Sequence, residues 1–211
     1  MKPQITIIKF LLAFNVFVPL TSFAVQNVDL YTAHNKDGAY NVRTVMPGIL
    51  FRGGSSNTSA NRNPLSNAQL CSLRKDGITK AFYFYSKGFS GNKTVSCDAG
   101  DIRYEVASMG NPKHVFQEIK KSIDASENQT QGTFVHCWFG VHASGYVAAA
   151  ALVQFCDWSS SQAVEYWKGN VPKSIQYAKV INQLRAFKKY SDIPELSEEQ
   201  KNNFCPKQYF R

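Results

Sequence analysis

Residues Val135 to Val153 constrain the fold of this chain more than any other stretch. Apolar residues before Cys137 predict a short buried strand, and the alanine-rich run that follows Tyr146 predicts a helix. The compact loop between them places a thiol at a helix N-terminus. Unpaired backbone N–H groups and the positive end of the helix dipole favour anions, including a thiolate, at such a position. The stretch therefore predicts an anion-binding loop around Cys137.

The rest of the chain predicts strands that alternate with helices. The strand-like stretches are 49–53, 78–85, 102–106 and 133–135, and the helical ones are 67–75, the residues after Pro112, 162–168 and 174–190. The lead from residue 25 to 43 and the polar stretch 86–100 have no strand pattern. This alternation predicts an α/β fold with a central, mostly parallel sheet flanked by helices in a three-layer sandwich.

The first 24 residues have the pattern of a secretory signal peptide. Lys2 and Lys9 precede an apolar run over 10–20, and Ser22-Phe23-Ala24 offers a cleavage site between small residues. The alternative is an uncleaved anchor, but the run is about half the roughly 20 apolar residues of a spanning helix. We expect an exported protein, periplasmic or secreted, without a membrane anchor after cleavage. Its domain would span 25–190, with a C-terminal tail over 191–211 packed on it.

The charge balance indicates the class of partner. A formal net charge of +9 favours anionic ligands such as phosphorylated molecules. No run of lysine or arginine exceeds two residues, so the sequence gives no support for a nucleic-acid interface. The four histidines are not spaced with carboxylates or cysteines as metal ligands are, and neither a metal nor a cofactor is predicted. The sequence does not indicate an oligomeric state.

Five cysteines follow residue 24, an odd number. In an oxidising compartment this predicts two disulfides and one free thiol, for which Cys137 is the natural candidate. The preferred pairing joins Cys71 with Cys97 and Cys156 with Cys205, each pair lying on one side of the central loop. Three connectivities remain open from sequence alone. A reducing compartment would instead leave these four residues as ordinary thiols.

The central loop carries a family resemblance. The order His136-Cys137-x-x-Gly140-x-x-Ala143-Ser144-Gly145 resembles the His-Cys-x-x-Gly-x-x-Arg-Ser/Thr-Gly loop of the cysteine-dependent tyrosine and dual-specificity phosphatases. Residues 47–54 are similar to the entry strand of that superfamily. Residues 70–84 are similar to the helix, Gly-Ile pair and strand that follow it. The resemblance covers roughly 40–190 and implies the phosphatase fold.

The resemblance also implies roles for the loop residues. In the family a cysteine thiolate attacks phosphorus, loop amides and an arginine hold the oxygens, and an aspartic acid protonates the leaving alcohol. Cys137 matches the nucleophile, Ser144 the hydroxyl that helps the thiolate leave, and His136 the residue that orients the loop. The implied anion-binding loop comprises His136, Cys137, Trp138, Phe139, Gly140, Val141, His142, Ala143, Ser144 and Gly145.

Two positions depart from the family pattern. Ala143 stands where the loop arginine is expected, and it can supply neither a bidentate contact nor a charge. Asn111 stands where the general acid is expected; it cannot donate that proton, and it is predicted to be the N-cap of the next helix. Nearby, Asp101 and Glu105 are predicted to be surface residues.

Other side chains near the loop have alternative interpretations. His142 is the titratable group nearest the missing arginine, and Arg52 at a strand exit could lend the absent charge, although a surface position is the expectation. Trp138 and Phe139 could form a rim for an aromatic or lipid-like ligand, but burial against the neighbouring helix is favoured.

Three functions therefore fit the sequence. The first is a phosphatase-like protein that binds an anion but is impaired or inactive as an ordinary phosphatase. The second is an active phosphoester hydrolase in which Cys137 is the nucleophile and His142 supplies charge or a proton. The third is a partner-binding module without catalysis.

Overall fold

The structure is a computed structural model that describes residues 30, 34–36, 38–55, 63–85, 88–89, 91–125 and 131–207. Their strands are β1 (His34–Lys36), β2 (Ala39–Met46), β3 (Leu50–Gly54), β4 (Ile78–Tyr83), β5 (Lys93–Cys97), β6 (Gly100–Val106) and β7 (Gly132–Cys137). The predicted signal peptide lies outside the described residues.

These strands form one mixed sheet in the order β1-β2-β3-β7-β4-β6-β5. The four central strands β3, β7, β4 and β6 run parallel to one another. Strands β1 and β2 on one side and β5 on the other add antiparallel pairs. Strand β7, which leads to Cys137, is therefore flanked on both sides by parallel strands. All its residues are buried.

Helices cover both faces of the sheet: α1 (Asn67–Lys75), α2 (Lys113–Ala125), α3 (Ala143–Phe155), α4 (Ser160–Gly169), α5 (Ala178–Ala186) and α6 (Glu198–Phe204). Helix α1 packs on the face whose core includes Phe134, and α2 to α5 pack on the face whose core includes Val135 and Cys137. The α/β prediction with a mostly parallel core sheet is confirmed.

Serine begins three of these helices. Ser66, Ser159 and Ser197 each accept a hydrogen bond from the backbone N–H three residues later, and the glutamine at that position bonds back to the serine N–H. This reciprocal pair satisfies two backbone donors that the first helical turn leaves free. Helix α1 begins at Asn67 as predicted, whereas α4 begins at Ser160, two residues before the predicted start at residue 162.

Helix α3 is the buried centre of its layer. Each of its 13 residues is buried, and its sequence is apolar around the whole circumference, as expected for a helix surrounded by protein. Its alanines allow other elements to pack closely on it. The loop at its N-terminus is therefore attached to one of the most buried parts of the described chain.

Several sequence-based predictions were wrong. Strands β1, β2 and β5 were predicted as parts of polar stretches, because they bury few side chains and their sequences therefore lack an apolar alternation. A single helix over 174–190 was predicted, which would include Ile175. A 3₁₀ turn (Lys173–Ile175) instead precedes the shorter α5, and Ile175 is exposed. The side chain of Gln176 donates to the Lys168 and Val171 carbonyls, which holds this backbone outside a helical path.

Both predicted disulfides are present. Cys71–Cys97 joins α1 to β5, and Cys156–Cys205 joins the end of α3 to the end of α6. Cys137 is the free, buried thiol. Within the described part of the chain, no helix combines the length and apolar character needed to cross a membrane.

Candidate functional site

The signature loop, residues 137–145, connects the end of β7 to the first turn of α3. Cys137 is the last residue of the strand and pairs in register with Gly54 of β3. The Cys137 carbonyl accepts a hydrogen bond from the Ser55 N–H at 3.0 Å. The thiol is thus held at the carboxyl edge of the parallel strands, where α/β folds place their ligands.

Cys137 and Ser144 lie together beneath the loop. Their Sγ and Oγ atoms are 3.4 Å apart, and the Ser144 hydroxyl donates to the Gly53 carbonyl at 3.1 Å. Because a serine has one hydroxyl proton, its lone pairs remain for the sulfur. The structure therefore brings together the two residues predicted to act as nucleophile and hydroxyl.

The loop packs backbone to backbone on the end of β3. Gly140 has φ +69°, and a Cβ there would lie 2.5 Å from the Gly53 carbonyl carbon. A Cβ on Gly54 would lie 2.4 Å from the Trp138 carbonyl oxygen. Only glycine fits at these contacts, so Gly53, Gly54 and Gly140 are needed for the loop to pack against the end of β3.

The outer side of the loop is held by side-chain donors. Asn41, a residue with φ +55°, donates through Nδ2 to the carbonyls of Phe139 and Gly140 at 2.9 and 3.1 Å. Arg52 also donates to the Gly140 carbonyl, through Nη2 at 3.1 Å. In a trans peptide the N–H group points opposite to the carbonyl of the same peptide bond. The N–H groups of Gly140 and Val141 therefore point away from the Asn41 and Arg52 side chains.

The backbone of the loop has several donors without an acceptor. Among the described residues, the backbone N–H groups from Phe139 to Gly145 have no hydrogen-bond acceptor. The first helical hydrogen bond of α3 is donated by the Tyr146 N–H to the His142 carbonyl at 2.8 Å. Consecutive free amides at a helix N-terminus can bind an anion.

Arg52 lies behind these amides and not on the surface, so the surface position expected from the sequence was wrong. Its side chain is fully buried. Nε and Nη1 have no hydrogen-bond partner in the described structure, and no ion pair neutralises the guanidinium there. Nη1 lies 2.9 Å from where a Gly145 Cβ would be, and the Tyr166 ring centre is 5.7 Å from the guanidinium carbon. A fixed positive charge thus sits beside the first turn of α3.

The position that matches the family arginine contributes no charge. Ala143 is the first residue of α3, and only 3% of its surface is exposed. It packs in the core with Val141 and Tyr146. Arg52 is therefore the buried cation next to the loop, on a different element and behind the amides.

His136 occupies the opposite face of β7. Its Nε2 accepts a hydrogen bond from the Tyr104 hydroxyl at 2.9 Å, and its Nδ1–H donates to the Cys137 carbonyl at 3.3 Å, with the proton assigned from these partners. Tyr104 in turn accepts from the Leu65 N–H at 3.0 Å. Complete burial lowers the pKa of His136 to about 3, a shift that the hydrogen bond to Cys137 only partly opposes. The imidazole is therefore neutral.

His142 contacts the neighbouring chain segment. Its Nε2 bonds to the Ile175 carbonyl at 2.8 Å, and its ring stacks on Tyr177 with centroids 4.1 Å apart. A carbonyl only accepts, so Nε2 carries the proton in this bond. The proposed role of His142 as a proton or charge partner stays a prediction.

Trp138 forms an aromatic rim with strand β4 and the residue beyond it. Its ring stacks on Tyr85 at 4.3 Å, and its Nε1–H donates to the Tyr83 hydroxyl at 2.9 Å. Burial raises the pKa of Tyr83, and the bond from Trp138 opposes that effect. Trp138 is half-buried against β4, whereas the sequence favoured packing against the adjacent helix.

Asn111 lies apart from a helix-capping position. The Pro112 carbonyl accepts the first hydrogen bond of α2, from the Phe116 N–H, so Asn111 precedes the cap and the N-cap prediction was wrong. Asn111 is exposed and bridges to Ser108. Asp101 is exposed as expected, but Glu105 is buried and bonds to His114 Nε2 at 3.1 Å.

Asn41 and the buried position of Arg52 were the site features that sequence reasoning missed. An arginine between the apolar residues of 49–51 and two glycines was the available signal for Arg52. Asn41 gave no signal, since it lies in a strand that the sequence did not predict. Among the described residues, no group of three or more His, Cys, Asp or Glu side chains could hold a metal.

The fold can be compared with known proteins. No family model matches the chain, and no curated protein matches it. Among solved structures, the chain is similar to a phosphatase domain. This is the core catalytic domain of the PP-IP phosphatase SIW14 from S. cerevisiae, in complex with citrate. The identity is 13% and the TM-score 0.43, over 74% of this chain and 89% of that domain.

Proposed function

We propose that the chain is an exported phosphatase-like protein whose signature loop binds phosphate or another oxyanion, and that it is impaired as an ordinary phosphatase. The proposal rests on two features that lie together: loop amides without an acceptor and a buried Arg52 guanidinium without a counter-charge. A fully buried guanidinium without a counter-charge costs several kcal/mol unless an anion lies nearby. An anion held by the amides of Phe139 to Gly145 would supply that charge.

The impairment follows from two positions. Ala143 offers no bidentate contact to the equatorial phosphoryl oxygens, and Asn111 cannot protonate a leaving alcohol. Losing a strong transition-state donor costs on the order of 10² to 10³ in rate, and losing a general acid roughly 10² to 10⁴. An alkyl phosphate would therefore turn over very slowly. Binding is less affected, because the amides and Arg52 act on the ground-state anion as well.

Calorimetric titration with inorganic phosphate and with vanadate tests the proposal. Saturable binding is expected, with an affinity that falls about 10- to 100-fold in Arg52→Met, since one charge-assisted partner is lost. Arg185→Met is the matched control, because Arg185 is exposed and forms no ion pair in the described structure. No saturable heat at millimolar anion, or equal losses in both variants, would contradict the proposal.

A second function, slow hydrolysis, is favoured by the contact between Cys137 and Ser144. The thiolate would attack phosphorus, an aryl oxide would leave without needing a proton, and water would cleave the phosphocysteine. Phosphate release from an aryl phosphate, measured for the native chain and for Cys137→Ser, tests this route. Equal rates would exclude Cys137 as the nucleophile and leave anion binding as the function.

A further inference from the structure

Residues 172–179, named here the basic segment, expose apolar side chains beside the signature loop. Tyr177 is 53% exposed and Ile175 36%, and these are the exposed large hydrophobic residues of the described chain. The side chain between them, Gln176, turns inward to two carbonyls. Holding Gln176 inward therefore presents Ile175 and Tyr177 outward as a pair.

The basic segment is attached directly to the loop. His142, the residue before α3, bonds to the Ile175 carbonyl and stacks on Tyr177. The same ring lies 6.3 Å from the buried Trp167. A residue of the loop with a free amide therefore contacts both residues of the exposed apolar pair.

The charge of this region is one-sided. From Tyr166 to Ser191 the sequence has no Asp or Glu, but it has six cations: Lys168, Lys173, Lys179, Arg185, Lys188 and Lys189. Lys168 and Lys189 pair with carboxylates outside that range. Lys173 and Lys179 are exposed, and neither forms an ion pair in the described structure. The apolar pair is therefore flanked by two free positive charges.

We propose that the basic segment docks the protein on a bilayer that carries anionic phospholipids. Ile175 and Tyr177 enter the interface, Lys173 and Lys179 face lipid phosphates, and the signature loop lies over a headgroup phosphate. The last part rests on the proposed function, because the loop amides would hold that phosphate. An aromatic ring with a polar tip suits the interface of a bilayer, and lysines are attracted to its negative surface potential.

The surface is built for weak, reversible attachment. Two inserted side chains bury far less apolar area than an amphipathic helix does. At physiological salt the attraction between the two lysines and the lipid phosphates is screened at distances beyond a Debye length of about 8 Å. Attachment should therefore depend on both the lipid charge and the ionic strength.

Co-sedimentation with vesicles tests the docking, using the protein purified in its exported, disulfide-bonded form. Phosphatidylcholine vesicles are compared with vesicles that also contain phosphatidylglycerol. Binding is expected only to the anionic vesicles. Lys173→Gln/Lys179→Gln should weaken it about 30-fold, and Ile175→Ser/Tyr177→Ser about tenfold. These exposed positions carry little folding risk.

The matched control is Lys75→Gln/Lys207→Gln. Lys75 is the last residue of α1, which packs on the other face of the sheet. Lys207 follows Cys205, whose disulfide partner Cys156 lies at the C-terminal end of α3. That end is about 20 Å along the helix from the signature loop. This variant removes the same charge and should change binding less than about twofold. Equal losses in the two lysine variants, or equal binding to both vesicle types, would overturn the docking.

Titration of the same variants with inorganic phosphate separates the two proposals. Phosphate binding without vesicle binding would overturn the docking and leave the proposed function intact. Vesicle binding that depends on the basic segment, without phosphate binding in solution, would support the docking and contradict the proposed function. Arg52→Met leaves the basic segment unchanged. If this single substitution also weakens vesicle binding, the result would support the placement of a headgroup phosphate in the signature loop.

Discussion

The two faces of the sheet beneath the signature loop differ in how their buried polar groups are partnered. On one face His136 is neutral, stacks on Tyr83 and exchanges hydrogen bonds with Tyr104 and its own strand. On the other face Arg52 is charged, and two of its three guanidinium nitrogens have no partner in the described structure. Protein groups alone complete the first arrangement, whereas the second has unused capacity to bind an anion.

The two faces are expected to contribute differently to the stability of the signature loop and to its binding of an anion. A buried group whose partners are all present adds to stability, and removing one partner costs the full desolvation of the other. A buried charge without a partner lowers stability until something neutralises it. The His136 face is therefore expected to determine whether the loop forms, and the Arg52 face whether the loop binds.

The largest expected effect is a loss of stability in acid through His136. Its folded pKa of about 3 lies below the ordinary value near 6.5, so the unfolded chain binds more protons between these values. Its contribution is complete above about pH 6.5 and is lost as the pH falls toward 3. We expect a loss of about 3 kcal/mol in the free energy of unfolding by pH 4.

Denaturant unfolding at several pH values measures this loss. His136→Phe should flatten the pH dependence, while His34→Gln, which changes an exposed histidine, should keep the slope of the native chain. A His136→Phe chain with an unchanged slope would show that other groups cause the acid sensitivity and would weaken the contrast between the faces.

The next effect is at Arg52. Its replacement should leave stability equal or higher without phosphate but lower it relative to the native chain when phosphate is present. Without an anion, Arg52→Met should unfold at an equal or higher denaturant concentration, because a buried unpaired charge is removed. With phosphate at about 100 times the dissociation constant of the native chain, that chain should gain about 2.7 kcal/mol and the variant, which binds about 10- to 100-fold more weakly, about 0.4 to 1.4 kcal/mol. Denaturant unfolding with and without phosphate measures the free energy of unfolding in both conditions. A variant that is less stable in both conditions would make Arg52 a structural residue like His136.

The smallest effect is at Tyr104. Tyr104→Phe leaves His136 Nε2 and the Leu65 N–H without their shared hydroxyl, which should lower the free energy of unfolding by about 1 to 2 kcal/mol. Phosphate affinity should change less than about twofold, since the residue lies on the supporting face. Tyr177→Phe is the matched control for stability, and it should shift unfolding by less than about 0.5 kcal/mol. A large loss of phosphate affinity in Tyr104→Phe would remove the distinction between the faces.

Local chemistry was enough for several features. The helical pattern of 67–75 predicted α1 with the bounds that the structure has. The odd cysteine count and the position of Cys137 indicated the two disulfides and the free thiol. These features depend on residues close in sequence or on simple counting, so no tertiary contact had to be known.

Features that depend on distant contacts were missed. The exposed position of Ile175 depends on bonds from Gln176 and His142, which no helical periodicity reveals. Asn41 holds two loop carbonyls almost a hundred residues away. The polar pattern of β2 hid this role.

The sequence by itself determined the backbone of the site, because a strand, a cysteine, spaced glycines and an alanine-rich helix each follow from local propensity. It also determined that Ala143 offers no positive charge and Asn111 no acidic proton. Only the tertiary structure decided where the Arg52 guanidinium lies. Arg52 reaches the loop because β3 and β7 are parallel neighbours, a pairing between segments about 80 residues apart. Burial of its guanidinium behind the amides is a property of the packed sheet and helix together, which local sequence does not encode.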